Sequence, residues 1–151
     1  MKRAITILSF ITLGCAVLFV ARKVLFPSTA SARVALERIS GEFDQIAAPS
    51  AARRLDRDEF YKSGYASVQA TFDTSIDWPG IVSFYDRQLA ERGWNAGSSK
   101  NLKEWARRDA GKLRAYCKGD MLAELQYDRT GRPGWRYALS LQWNGGTPCA
   151  R

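Results

Sequence analysis

Two groups of carboxylates lie close enough in the chain to suggest acid–base chemistry: Asp56, Asp58 and Glu59, and Asp73 with Asp77. Two carboxyls about 5–10 Å apart, one of them held protonated, are what glycoside hydrolysis uses. Neither group has a neighbour that would raise one member. Asp56 and Asp58 are interleaved with Arg57 and follow Arg53 and Arg54, which suits a solvated, ion-paired segment, and Asp77 stands where it can cap a helix. The chain has no His, which excludes Ser-His-Asp and Cys-His catalysis and any His-ligated metal site. Of its three Cys, Cys117 and Cys149 fit a bridge pinning the C-terminal tail to a strand. Unbridged, Cys117 is a small core hydrophobe and Cys149 an exposed thiol. The expectation is no catalytic residue, no metal and no cofactor.

A second constellation is basic and aromatic. Lys103, Trp105, Arg107, Arg108, Lys112, Arg114, Tyr116 and Lys118 gather around a turn expected at Asp109. Such a hairpin can bind anionic lipid, an acidic wall polymer or an acidic protein, and the same charges protect a sheet edge from aggregation. Lys62-Ser63-Gly64 matches the Lys-Ser/Thr-Gly element of penicillin-recognising enzymes, but no Ser-x-x-Lys accompanies it. Gly111-Lys112 lacks the earlier glycine of a phosphate loop.

The elements that would carry these residues begin with an apolar run. Residues 4–21 (AITILSFITLGCAVLFVA) carry no charge and are flanked by Lys2, Arg3, Arg22 and Lys23. About 20 helical residues cross a bilayer core, so residues 1–30 read as an N-terminal transmembrane anchor. Basic flanks at both ends leave the direction open. The short N-terminal tail and the two Cys beyond the run favour an exported C-terminal domain, placing the chain in a bacterial inner membrane as a single-pass protein with a periplasmic domain. Cleavage at Ala30-Ser31-Ala32 is the rival. The net charge of +8 falls to +4 once residues 1–32 are set aside, and no nucleic-acid partner is expected.

Residues 31–63 read as an amphipathic helix and linker. Ala35, Ile39, Phe43 and Ile46 recur on one helical face, while 48–63 look like a hinge. The helix packs on the domain, or alternatively lies on a membrane or pairs with a second copy. Residues 64–151 read as the exported α+β domain. Ala66, Val68, Ala70 and Phe72 alternate as a strand. A helix follows, opened by Asp77 and Pro79 and closed by Gly93, and then an antiparallel meander: 102–108, 112–118 with Leu113, Ala115 and Cys117 inward, 121–128, and 135–143. Together this predicts an α+β chain, a transmembrane helix followed by a two-layer domain whose antiparallel sheet packs on one or two helices.

Residues 84–94 (FYDRQLAERGW) resemble the aromatic-Tyr-x3-Leu-x3-Gly-Trp helix end of small exported or membrane-anchored bacterial proteins of uncharacterised function. The resemblance implies a small α+β exported domain and brings no catalytic residues. The sequence therefore points to a membrane-anchored envelope module that binds rather than transforms, regulatory or toxin-neutralising. Its partners would be the membrane and a protein or a second copy. A carboxylate-dependent envelope hydrolase is the alternative.

Overall fold

The computed structural model describes residues 29–104, 107–128, 135–144 and 149, with backbone alone for 98–104, 107–110, 128 and 135. In chain order it contains α1 (Thr29–Asp44), β1 (Ala52–Lys62), β2 (Tyr65–Thr74), α2 (Trp78–Glu91), β3 (Asn95–Glu104), β4 (Arg107–Lys118), β5 (Met121–Asp128) and β6 (Trp135–Asn144). The six strands form one antiparallel sheet in the order β1-β2-β6-β5-β4-β3, with β1 and β3 at its edges.

Both helices cover the same face. Along β2, Ala66, Val68, Ala70 and Phe72 point to that face and are buried; their partners on β6, Trp143, Leu141, Leu139 and Tyr137, lie opposite them on the same side. From α1, Ala35, Ile39 and Phe43 join this core, and α2 adds Trp78, Ile81, Tyr85 and Leu89. The spacing of these residues at three and four positions is what makes one helical face apolar enough to dock. Asp77 caps α2 by accepting the Gly80 N–H at 3.0 Å, and Gly93 follows the helix with φ of +78°, a conformation that favours glycine. The opposite face is covered by neither helix and is mixed, carrying Ser67, Gln69, Gln142, Glu124 and Gln126 beside Leu113 and Leu122.

Five expectations are corrected by this architecture. The fold is a six-strand antiparallel sheet with two helices, and among the described residues no helix is long and apolar enough to cross a membrane. At about 1.5 Å per residue, the 16 residues of α1 and 14 of α2 fall short of a bilayer core, and Arg33, Glu37, Arg38 and Glu42 interrupt α1. The expected anchor over 4–21 lies outside the described residues. The transmembrane assignment and the single-pass inner-membrane location therefore have no support from the fold.

The segment 48–63, expected as a hinge, supplies β1. Its alternation is interrupted by a register shift between Arg54 and Asp56, where the Asp56 carboxylate accepts the Thr71 N–H at 2.9 Å. The turn expected at Asp109–Gly111 is instead strand: β3 runs to Glu104 and β4 starts at Arg107. The side facing of β4 is also reversed. Arg114, Tyr116 and Lys118 pair with Leu125, Ala123 and Met121 and so face the helices, whereas Leu113, Ala115 and Cys117 face the open side.

Candidate functional site

The reversed β4 determines what the basic residues do. Arg114 donates from Nε and Nη2 to Asp86 Oδ1 on α2, both at 3.1 Å. Lys118 donates to Glu42 Oε1 on α1 at 2.6 Å and lies 5.8 Å from the centre of the Trp94 ring. Tyr116 is buried to 1% exposure. These three are spent on holding helices to the sheet. Lys112 is exposed on the same strand. Lys103, Arg107 and Arg108 fall where backbone alone is described, and Trp105 lies outside the described residues. The structure thus does not bring the eight residues together as a described surface.

Glu42 and Asp120 form two similar clamps on α1. Glu42 Oε1 also accepts Trp94 Nε1 at 3.2 Å; Asp120 accepts Arg38 Nη2 at 2.7 and 2.8 Å and Trp143 Nε1 at 2.9 Å. Burial pushes the Glu42 carboxyl up, but the hydrogen bonds from Lys118 and Trp94 and the nearby positive charges outweigh it and hold the group below the usual range. The same contest, won by Arg38 and Trp143, lowers Asp120.

Of the five carboxylates considered for catalysis, four are occupied elsewhere, and Asp58 stands exposed on β1. Asp56 serves the β1 irregularity, Asp73 pairs with Arg53 at 3.4 Å, and Asp77 caps α2. Glu59 accepts Ser40 Oγ and Arg57 Nη2, both at 2.7 Å, and these bonds lower its pKa, the opposite of what a general acid needs. Among the described residues no three Cys, Asp or Glu gather to hold a metal ion. Cys117 and Cys149 form a disulfide across a separation of 32 residues, on the side of the sheet away from the helices.

Among the described residues, three of the four exposed large apolar side chains lie on the β1 edge, the fourth being Val34 on α1. Phe60 is 52% exposed, Tyr61 42% and Leu55 37%, on a strand of 11 residues paired on one side only. Phe60 faces away from the helices, with the Tyr65 ring 6.3 Å away and Lys62 Nζ 5.9 Å from that ring. On the other face, Arg57 lies 5.3 Å from the Phe43 ring centre and joins Asp44 and Glu59, so the strand is firmly backed by α1. At the far end of β1 a cleft of about 250 Å³ opens between Phe43, Ile46, Ala48, Ala52 and Phe72, with Asp44 and Arg54 at its rim.

The reading from sequence missed Phe60 and Tyr61 because β1 was not recognised. A usable signal was present. Ser63-Gly64 is a two-residue turn immediately before a strongly alternating strand, and such a turn implies an antiparallel strand before it. Comparison of the chain with protein-family models, curated proteins and solved structures gives no match in any of the three.

Proposed function

We propose that the domain is a protein-binding module that takes up another polypeptide at the β1 edge. One observation carries the reading: an 11-residue edge strand, rigidly backed by α1, exposes Phe60 and Tyr61 beside unpaired backbone groups. Exposed long edges are normally blunted, because they template strand addition. Here the blunting is uneven. Arg53, Arg54 and the register shift guard the first half of β1, whereas the half ending at Lys62, though also charged at Asp58, Glu59 and Lys62, is regularly paired and carries the aromatic pair. Strand addition would draw affinity from main-chain hydrogen bonds and specificity from the alternate side chains on each face. The lowered pKa of Glu59 and the structural employment of Asp56, Asp73 and Asp77 favour binding over a carboxylate hydrolase.

The test is a photo-reactive benzoylphenylalanine placed at position 60 of the full-length chain in the producing cell, with Ser83 on the exposed side of α2 as the control position. A defined polypeptide adduct from position 60 that is absent from position 83 is expected. Equal adducts at both positions, or none at position 60, would remove the reading.

A further inference from the structure

We infer that the strand added to β1 is β1 of a second copy of this chain, paired antiparallel about Phe60. The inference rests on the strand-addition reading and specifies its partner. A two-fold axis through the sheet must place each residue opposite one whose side chain lies on the same face, so the axis passes through a residue that meets its own copy. Centred on Arg57 or Glu59, the pairing sets like charges against each other, which destabilises a ladder; centred on Asp58, it sets the two Asp58 carboxylates together and flanks them with Arg57 and Glu59, which are already paired within each chain. Centred on Tyr61, it sets Phe60 against Lys62 and forms no ion pair.

Centred on Phe60, the register is self-complementary. Asp58 then faces Lys62 of the second copy, twice by symmetry, and the two Phe60 rings meet between these pairs. Asp58, Phe60 and Lys62 all lie on the face away from the helices. Neither Asp58 nor Lys62 has an ion-pair partner among the described residues. The backbone phase agrees. Lys62 and Tyr65 close the two-residue turn, so by alternation Phe60 directs its N–H and C=O toward Ser67 on β2. The groups of Glu59 and Tyr61 then point outward, and the Phe60 register sets Glu59 of one copy opposite Tyr61 of the other. Two such pairs supply about four main-chain hydrogen bonds.

Sedimentation equilibrium of the purified full-length chain tests this with a charge swap. The unaltered chain is expected to dimerise. Asp58→Lys alone or Lys62→Asp alone should weaken the dimer by about tenfold or more, because each turns two attractions into two repulsions. The double variant Asp58→Lys/Lys62→Asp should recover to within about threefold of the unaltered chain, since the pairs re-form with signs exchanged. Circular dichroism confirms that each variant is folded. A chain that stays monomeric, single variants that dimerise normally, or a double variant no better than the singles would overturn the inference. The cross-link at position 60 separates the two claims. An adduct of twice the chain's mass agrees with self-pairing; an adduct of another mass removes self-pairing and leaves strand addition standing; no adduct removes both.

Discussion

Removing the Glu42 carboxylate tests how α1 is held to the sheet. In Glu42→Ala, the Lys118 ammonium loses its partner at 2.6 Å and the Trp94 indole its acceptor at 3.2 Å. The Glu42 side chain is 17% exposed and that of Lys118 is 32%, so water replaces these bonds only in part. A hydrogen bond to a charged group contributes about 1.5–3 kcal/mol, and a buried donor left unpaired costs about 1–3 kcal/mol. Allowing for the partial exposure of Lys118, the loss should be about 2–3 kcal/mol. For a domain of this size that lowers Tm by about 6–12 °C. Glu42→Gln keeps an oxygen for Trp94 but loses the ion pair, and should cost about half as much.

The pH dependence has a definite sign. The folded-state pKa of Glu42 lies below its unfolded value, so its stabilisation is complete above the unfolded pKa and is lost as pH falls through the folded one. The deficit of Glu42→Gln relative to the unaltered chain should therefore be full at neutral pH and vanish in acid. Urea titrations followed by Trp fluorescence at several pH values measure this. A Glu42→Ala variant within about 0.5 kcal/mol of the unaltered chain at pH 7, or a Glu42→Gln deficit independent of pH, would refute the clamp.

The remaining predictions concern the bridge and the phenols. Cys117→Ser, which opens a loop of 32 residues, should cost about 3–4 kcal/mol by the chain-entropy account, read as a shift in urea midpoint that reductant reproduces in the unaltered chain. Tyr85 and Tyr137 share a hydroxyl–hydroxyl hydrogen bond of 3.1 Å, so Tyr85→Phe should cost about 1–2 kcal/mol. Tyr116→Phe should be neutral or stabilising, because the buried Tyr116 hydroxyl has no hydrogen-bond partner among the described residues. Burial pushes the Tyr137 phenol up to about 12 and raises Tyr85 and Tyr116 further, so stability is kept below pH 10 and lost as pH climbs through these values. Absorbance at 295 nm should show at least three of the six tyrosines ionising only as the protein unfolds.

Local signals made part of this fold legible. The alternation of Ala66, Val68, Ala70 and Phe72 needs no distant partner to be read, and neither does the Asp77 cap or the Gly93 stop of α2. Features dependent on distant partners were hidden. Arg114 and Lys118 look like surface charge until Asp86, 28 residues away, and Glu42, 76 residues away, arrive to neutralise them on the helix side. That inverted the apparent inside of β4. In β1, the run of alternating charges masks a strand whose helix-facing members are themselves charged, because Arg57 and Glu59 are satisfied by Asp44 and Ser40 of α1. The one-residue irregularity after Arg54 then shifts the phase. The candidate edge disappeared with the strand that forms it.

Residue-resolved amide exchange across β1 in the full-length chain tests the central claim most directly. In dilute protein, Phe60 should exchange slowly because β2 holds its amide, while Glu59 and Tyr61 exchange fast. When the chain is concentrated, or when the polypeptide captured at position 60 is supplied, protection should appear at Glu59 and Tyr61 and leave Phe60 unchanged. If Glu59 and Tyr61 stay equally fast under both conditions, β1 is a bare edge and the account fails.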